Sequence, residues 1–364
     1  IDSGQDKKIL KPVFRGSLNS TKPAALTCIT AILIAFVFLC NSCSKSTGKN
    51  ALSLWNDTAP AKKALIEYVK NVTNKKSPDF IPVEDRIAIF DLDGTLILET
   101  DPTYFDQQLF DHRVLDDPRY KDKATAAQKE AAHNSRDLHK FPEISAAREQ
   151  MVAEAYAGMS IEEFDSFIRD FMQTEQPGFT GMKRGETFYR PMVEVVNFLT
   201  ANDFTVYVSS GSDRFLVRPL VFENLHLPAT QIIGSDTTIV CVNQGDKDGL
   251  SYTFKDGDEL ILGGNSIVKN LQMNKVVTIV REIGKKPVLA FGNSGTDASM
   301  LNYSISNNKY KALAFMLMCD DLEREYGNMA KAEQMKKASE ENNWIPVSMR
   351  DDWKTIYGDG VKRK

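Results

Sequence analysis

The sequence contains the segment Ile87-Ala-Ile-Phe-Asp91-Leu-Asp93-Gly-Thr-Leu96, an apolar run followed at once by two aspartates and a glycine. β-Branched and aromatic residues in such a run predict a parallel strand in a sheet covered by helices on both faces. Ligands of these sheets bind beyond the carboxyl ends of the strands, where Asp91 emerges. Asp-x-Asp-Gly alone is more typical of a turn or a helix cap, but the strand before it favours a reactive loop.

Two later segments have the same form, an apolar run that leads into small and polar residues. They are Phe204-Thr-Val-Tyr-Val208 before Ser209-Ser210-Gly211-Ser212, and Pro287-Val-Leu-Ala-Phe291 before Gly292-Asn293-Ser294-Gly295-Thr296-Asp297. Helical patterns precede both strands, one beginning at Pro191 and one running from Lys275 to Ile283. Strands that alternate with helices predict an α/β fold with a Rossmann-like, mostly parallel sheet and right-handed crossovers.

Further patterns predict the elements around this sheet. Pro60 opens a helix, and Ser160 with Glu163 forms a capping box before a helix with four apolar residues at helical spacing. We also expect a hairpin of Thr237–Val242 with Leu250–Phe254, and a helix after a strand that begins at the acidic residues 320–325. A last strand is expected at Trp344–Ser348, and Trp353 is expected to dock the tail.

Length and composition indicate a folded enzyme-sized chain. With 364 residues, 42% of them hydrophobic and 26% charged, the chain can bury one catalytic domain and a smaller inserted one. Beyond residue 43, it carries 40 basic and 47 acidic side chains, a net charge of −7. This balance gives no indication of a nucleic-acid surface.

The N-terminal region has the pattern of an export signal. Five basic residues precede the uncharged apolar run from Ala24 to Cys40, and Asn41-Ser42-Cys43-Ser44-Lys45 resembles a bacterial lipoprotein cleavage site with Cys43 as the lipidated residue. The run of 17 residues is shorter than the roughly 20 that span a bilayer, so a transmembrane anchor is the less favoured alternative. We therefore expect a membrane-anchored lipoprotein on the periplasmic side of a bacterium.

The segment from Asp91 to Thr95 matches in full the first motif, Asp-x-Asp-Gly-Thr, of the haloacid dehalogenase superfamily, and the chain resembles its phosphoserine-phosphatase-like branch. The resemblance implies that Asp91 is the nucleophile that becomes aspartyl-phosphate. It also implies that Asp93 is the general acid and base and that its backbone carbonyl faces Mg²⁺. An acid at position 93 favours a phosphatase over a dehalogenase or a cation pump.

The later motifs of the superfamily resemble the ends of the other two strands. The resemblance assigns Ser210, with the backbone N–H of Gly211, to a phosphate oxygen, although Ser209 is only one residue away. Lys275, which lies 22 residues before Asp297, would hold the nucleophile and the phosphate together. Asn293 and Asp297 would complete the Mg²⁺ ligands, with Asn293 in place of the usual aspartate.

The resemblance also implies a helical cap inserted between the first and second motifs. With the N-terminal pattern, the chain divides into a signal peptide of residues 1–43 and a tether of residues 44–50. The catalytic core consists of residues 51–96 and 189–364, and the cap consists of residues 97–188. Glu99 and Arg218 are candidate substrate-binding residues. For both, a surface salt bridge is an equally good interpretation.

The expected function is that of an exported, Mg²⁺-dependent phosphomonoester hydrolase that acts on a small phosphorylated metabolite such as phosphoserine. Phosphocholine and sugar phosphates remain open. A phosphotransferase and a catalytically weak phospho-ligand-binding protein are the alternatives, the second because of Asn293. The four histidines form no metal-spaced cluster, and Cys241 and Cys319 either pair or are simply buried.

Overall fold

The structure, a computed structural model, describes residues 51–99 and 103–364. A seven-stranded sheet forms its centre, with the spatial order β5-β4-β3-β1-β6-β7-β8. The strands are β1 Ile87–Phe90, β3 Thr205–Asp213, β4 Ile232–Cys241, β5 Leu260–Val268, β6 Leu289–Gly292, β7 Leu313–Met318 and β8 Ile345–Ser348. Two short antiparallel strands, β2 Phe179–Thr180 and β9 Lys362–Arg363, pair separately.

Eleven α-helices surround the sheet in the part of the chain that the structure describes. They are α1 Pro60–Thr73, α2 Phe105–Leu115, α3 Ala126–Leu138, α4 Ala146–Tyr156, α5 Ile161–Met172, α6 Arg190–Ala201, α7 Arg214–Leu225, α8 Met273–Thr278, α9 Ala298–Ile305, α10 Met329–Asn342 and α11 Met349–Asp352. Helices α2 to α5 lie within residues 97–188, the predicted cap.

The parallel α/β fold is confirmed. All strand pairs in the large sheet are parallel except β4 with β5. The four residues of β1 are buried, as expected for a central strand covered on both faces. Phe90, Phe291 and Phe315 stack across three adjacent strands with centroid separations of 4.2 and 4.7 Å. Asp91 follows directly at the end of β1.

Several local predictions are also confirmed. Helix α1 begins at Pro60, and α5 begins with the capping box of Ser160 and Glu163. Helix α8 continues into a π-helical turn that ends at Gly284, whose φ of +69° is the left-handed conformation that glycine accommodates best. Trp353 is buried and packs edge-on against Trp55, which docks the C-terminal region.

Three predicted elements differ in the structure. The hairpin partner of β4 is β5, not Leu250–Phe254, because β4 pairs through Cys241 with Leu260 and the intervening segment is an exposed loop. The acidic residues 320–325 form a loop, and α10 begins later at Met329, where the Asn328 side chain caps it. Strand β3 extends beyond Val208 because, after a register shift, Asp213 still pairs with Ser235 of β4.

The β4–β5 hairpin joins the central sheet to the helices of the predicted cap. Backbone hydrogen bonds connect Gly158 and Met159, between α4 and α5, with Leu262 of β5. The Gln150 side chain of α4 donates to the Gly264 carbonyl and accepts from the Ser266 N–H. The free edge of β5 is therefore covered by the inserted helices.

Cys241 and Cys319 are the two cysteines for which the sequence leaves a disulfide open. Cys241 is buried and Cys319 is half-buried, and both are free thiols, so the alternative of a disulfide between them is wrong.

In the described ranges, the structure contains no helix of sufficient length and apolarity to span a bilayer. The predicted apolar run 24–40 and Cys43 lie outside these ranges.

Candidate active site

A cavity of about 540 Å³ lies where the predicted motifs meet, beside the ends of β1, β3 and β6. Both the core and the inserted helices line it. The lining residues are Asp91, Asp93, Glu99, Tyr104, Asp106, Gln107, Pro142, Glu143, Ile144, Arg148, Gly211, Ser212, Lys269, Leu271, Asn293, Ser294, Thr296, Cys319, Tyr326, Asn328 and Lys331. We call this space the catalytic cavity.

Lys275 lies between two aspartates at the base of the site. Its Nζ is 2.5 Å from Asp91 Oδ1 and 2.7 Å from Asp297 Oδ1, and the lysine is completely buried. Lys275 occupies the first turn of α8, as predicted, although the helix dipole disfavours a cation there. The two carboxylates compensate this unfavourable interaction with the helix dipole. Lys275 and Asp297, 22 residues apart in the sequence, are in direct contact.

The charges of this trio depend on one another. Burial and the nearby Asp297 carboxylate raise the pKa of Asp91 to about 7, while the Lys275 ammonium opposes the shift. Burial alone would lower the pKa of Lys275, but Asp297 and Asp91 raise it overall. Lys275 therefore stays charged, and it is the group that keeps the buried Asp91 carboxylate ionisable.

Asp297 is held on its second oxygen as well. Asp297 Oδ2 accepts the backbone N–H groups of Asn293 and Ser294, both at 3.1 Å, and the Ser294 hydroxyl at 3.2 Å. One oxygen thus orients Lys275 and the other fixes the loop after β6. In this arrangement, Asp297 acts on the site through Lys275 and the loop.

Asn293 packs against Gly94 in the turn that follows Asp93. Gly94 has a φ of +77°, and a Cβ there would lie 1.8 Å from Asn293 Nδ2. The Asn293 side chain is buried beside the cavity, and its Nδ2 has no hydrogen-bond partner. An unpaired buried amide is costly. Rotating the Asn293 amide by 180° would put its oxygen where Nδ2 lies, and a hard cation, which prefers oxygen ligands, could bind that oxygen.

These residues fit the predicted Mg²⁺ ion. Asp91, Asp93 and Asn293 all line the cavity, and they offer carboxylate, carbonyl and amide oxygens, the donors that hard cations prefer. Within the described residues, no group of three or more His, Cys, Asp or Glu side chains is arranged as a metal site. The fit therefore depends on the Asp91 carboxylate, a backbone oxygen and the neutral amide of Asn293, because both Asp297 oxygens are engaged by Lys275 and the loop after β6.

Asp93 is suited to hold a proton. Burial raises its pKa well above the usual range, and the nearby carboxylates of Asp106, Asp91 and Glu99 add to the shift. The Asp93 carboxyl can therefore carry a proton beside the Asp91 carboxylate. Two adjacent acids with different protonation states are typical of acid–base chemistry.

The structure places the predicted phosphate-binding serine below the cavity surface. Ser210 is completely buried, and its hydroxyl accepts the Ser212 N–H at 3.0 Å. Ser209 is also buried and accepts from Asn270 at 3.1 Å. Gly211 and Ser212 line the cavity instead. Ser210 thus shapes the turn that presents these two residues, and its direct contact with phosphate stays a prediction.

Glu99 and Arg218 have different locations. Glu99 lines the cavity and forms an ion pair with Lys331, and Tyr104 donates to the same carboxylate oxygen. The salt-bridge interpretation therefore holds for Glu99, and its contact with substrate stays a prediction. Arg218 is not among the described residues that line the cavity; its guanidinium stacks on Phe215 within α7, one helical turn beyond the end of β3. A contact of Arg218 with substrate stays a prediction.

Sequence reasoning did not identify the basic residues of the cavity wall. Arg148 lies in the first turn of α4, Lys269 follows β5, and Lys331 lies in the first turn of α10. Lys269 pairs with Glu149 at 3.0 Å. No local pattern identifies Lys331, because α10 begins only after the long loop that follows β7.

Several solved structures are similar to this chain. A protein of unknown function from Anaerococcus prevotii DSM 20548 is 13% identical, over 79% of this chain and 91% of that chain, with a TM-score of 0.49. A cytosolic 5'-nucleotidase IIIB bound to cytidine is 13% identical, over 81% and 87%, with a TM-score of 0.47. A phosphoserine phosphohydrolase-like protein from Francisella tularensis subsp. tularensis SCHU S4 is 16% identical, over 71% and 94%, with a TM-score of 0.36.

These likenesses are too distant to carry a functional argument, and a search of curated proteins finds no match. The model of the haloacid dehalogenase-like hydrolase family matches residues 88–302, which is more than half of the chain. The matched segment contains every motif residue from Asp91 to Asp297. The match confirms the predicted superfamily and the prediction of a hydrolase, and it supports phosphatase activity. The chain belongs to the haloacid dehalogenase-like hydrolase family.

Proposed function

We propose that this hydrolase is a Mg²⁺-dependent phosphomonoesterase that works through an aspartyl-phosphate on Asp91. The observation that carries the proposal is the buried Lys275 ammonium between Asp91 and Asp297 at the edge of the catalytic cavity. Lys275 holds one oxygen of Asp91. The other oxygen accepts a long hydrogen bond of 3.3 Å from the Thr95 hydroxyl, its one side-chain hydrogen bond within the described residues. A carboxylate fixed by one oxygen is a positioned nucleophile.

In the proposed first step, Asp91 Oδ2 attacks phosphorus and the bond from phosphorus to the leaving oxygen breaks. Asp93 donates its proton to that oxygen, so the alcohol leaves neutral. In the second step, Asp93 takes a proton from water, whose oxygen attacks the phosphorus; phosphate leaves and the Asp91 carboxylate returns. Mg²⁺ held by Asp91, the Asp93 carbonyl and Asn293 would neutralise charge on the transferring phosphoryl group.

The proposed substrate is a small phosphorylated metabolite such as phosphoserine. A cavity of about 540 Å³ is of the size that small-molecule sites have, and both acidic and basic side chains line it. Phosphocholine and small sugar phosphates are of similar size. A panel of phosphomonoesters, assayed for released phosphate with Mg²⁺, would rank them. Transfer to an added alcohol in place of water would instead identify a phosphotransferase.

Asn293 provides the test of this proposal against a binding protein. For a working phosphatase, we expect the parent to require Mg²⁺ and Asn293→Asp to lower the half-saturating Mg²⁺ concentration by roughly tenfold, because it adds a charge beside the ion. Turnover need not rise, since the new charge also repels phosphate. The measurement is hydrolysis over a Mg²⁺ titration.

Asn307→Asp is the matched control, because Asn307 is exposed and does not line the cavity. It should leave the Mg²⁺ dependence as in the parent. If neither the parent nor Asn293→Asp hydrolyses any phosphomonoester at any Mg²⁺ concentration, the binding-protein alternative is correct. Strong hydrolysis without dependence on Mg²⁺ would contradict both.

A second prediction concerns Asp93. Asp93→Asn removes the proton donor for the leaving oxygen, so turnover of alkyl phosphates should fall by about 10²–10⁴-fold. Aryl phosphates, whose leaving groups need little protonation, should still form phosphoenzyme, which then hydrolyses slowly. Rapid-quench trapping of the phosphoenzyme measures both steps. Equal losses on aryl and alkyl substrates would refute the general-acid role.

We also propose that the protein is exported and anchored to the membrane through a lipid on Cys43. The proposal is supported by the basic flank, the apolar run and the position of Cys43 in the sequence. In a bacterium fed labelled fatty acid, the parent should carry label and fractionate with membranes, whereas Cys43→Ser should lose the label. Cys40→Ser is the matched control and should keep it. An unlabelled parent in the cytosol would end this proposal.

A further inference from the structure

A second cavity of about 330 Å³ lies between α2, α3 and the segment that connects α5 to residue 184. We call it the α2–α3 pocket. Helix α2 forms a wall of both cavities: Asp106 and Gln107 line the catalytic cavity, while Asp111 and His112 line the α2–α3 pocket. The two spaces are therefore separated by one helix, and no motif residue of the proposed reaction lines the second.

Arg184 is held at this pocket by neutral hydrogen-bond partners, and the Asp116 carboxylate, which lines the same pocket, acts on its charge from a distance. Its Nε donates to Gln108 at 2.9 Å, its Nη1 donates to the Thr174 hydroxyl at 2.6 Å and the Glu175 carbonyl at 2.7 Å, and the guanidinium lies over the Phe171 ring. Among the described residues, no carboxylate forms an ion pair with it. These bonds use three of the five N–H donors of arginine and leave the Nη2 pair for a ligand.

A second arginine lines the same pocket. Arg136 of α3 forms two hydrogen bonds with Asp116, at 3.1 and 2.6 Å, so the pocket holds this ion pair beside the Arg184 guanidinium. Burial lowers the pKa of Arg184 and the like charge of Arg136 lowers it further, while the Asp116 carboxylate opposes the shift. Two guanidinium groups that repel each other across a cavity favour an anion between them.

A buried acid with an unpaired oxygen completes the polar lining. Asp111 is 4% exposed; its Oδ2 accepts the Ser135 hydroxyl at 2.7 Å, and its Oδ1 has no partner. Burial raises the pKa of Asp111 to about 7, so the carboxyl can hold a proton and donate it. A bound oxyanion would give that proton an acceptor.

We propose that the α2–α3 pocket binds a small oxyanion, a phosphate or a carboxylate, through Arg184 and Arg136. The cavity is larger than one phosphate, so the anionic group of a small metabolite also fits. Phosphate, which the proposed reaction releases, and a carboxylate metabolite are two sources of the same chemistry. The inference concerns a site apart from the catalytic cavity and does not depend on the proposed reaction.

Location is tested with tungstate, a phosphate analogue that scatters X-rays strongly. In crystals of the protein soaked in tungstate, we expect an anomalous peak within hydrogen-bonding distance of Arg184 and Arg136. A peak confined to the surroundings of Asp91, or none in the α2–α3 pocket, would overturn the proposal. A fault in the phosphatase proposal would not affect this result.

Affinity in solution is measured by calorimetry with inorganic phosphate and, separately, with malonate. Arg184→Gln should weaken binding at this site by roughly tenfold or more, and Arg184→Lys should weaken it less, because charge is kept while the fork geometry is lost. Arg281→Gln is the charge-matched control, since Arg281 is exposed and lines neither cavity. If one of the two probes binds more strongly, it shows whether phosphate or a carboxylate metabolite is the anion that the pocket binds.

Circular dichroism shows whether each variant is folded. If Arg184→Gln is unfolded, the comparison of Arg184→Lys with the parent decides the question. The proposal would be contradicted if both probes bound Arg184→Lys or Arg184→Gln as tightly as they bind the parent. It would also be contradicted if neither phosphate nor malonate bound outside the catalytic cavity.

Discussion

Replacing Asp91 by Asn should lower phosphomonoester turnover by about 10⁴-fold or more, the scale observed when an enzyme loses its nucleophile. The amide keeps the volume and one oxygen for Lys275, but it cannot form the acyl phosphate. Turnover is measured under saturating Mg²⁺, and phosphoenzyme is sought with radiolabelled substrate. Hydrolysis near the parent rate would refute the proposed mechanism.

The fold of Asp91→Asn should persist, for a reason that the sequence did not show. Asp91 lies at a strand end beside the cavity, yet it is only 7% exposed. Because burial and Asp297 already disfavour its charged form, removing that charge costs little stability. Asp352→Asn is a matched control: it alters a buried aspartate away from both cavities, and it should leave turnover intact.

The parts of the fold that the sequence predicts are those whose signals are local. Strand β1 is buried on all four positions, so its apolar run is visible without any knowledge of its neighbours. The capping box at Ser160 and the glycine stop at Gly284 are equally local. Each of these elements is stabilised by residues within a few positions of it, and each was predicted.

The hairpin shows why other elements could not be predicted. Strand β5 contains Gly263 and Gly264, which weaken a strand pattern, whereas Leu250–Phe254 has the better local composition. Glycine is nevertheless required at residue 263, because a Cβ there would lie 2.5 Å from the Thr238 hydroxyl. The choice depends on the packing of β4 against β5, which sequence periodicity does not report.

The same distinction applies to the site. Asp91 and Asp297 meet because the parallel strands β1 and β6 end at one edge of the sheet, and α8 brings Lys275 to the same edge. Lys331 reaches Glu99 across 232 residues, and nothing local indicates that the start of α10 returns to this edge. Arg218 follows a motif closely in sequence, but its guanidinium lies over Phe215 and does not line the cavity, and the sequence does not indicate this orientation.

Lys275→Met should destabilise the protein by about 3–5 kcal/mol, the cost of breaking a buried ion pair. The change leaves Asp91 and Asp297 buried beside each other without the ammonium that is 2.5 and 2.7 Å away in the parent. Urea unfolding without Mg²⁺ measures the loss. Lys285→Met is the control; its exposed ion pair with Asp85 should contribute within about 1 kcal/mol.

The loss in Lys275→Met should grow as the pH rises. Without the ammonium, the folded-state pKa of Asp91 lies still further above its unfolded value, because Lys275 is the group that lowers it. The folded variant then binds more protons than the unfolded chain up to its raised pKa, whereas in the parent this difference ends near the Asp91 pKa of about 7. The stability of the variant relative to the parent therefore falls in the window above about pH 7, up to the raised pKa. Adding Asp297→Asn should restore part of the stability, since it removes one of the two repelling charges. A Lys275→Met variant as stable as the parent throughout that window would show that the ammonium does not compensate the carboxylates.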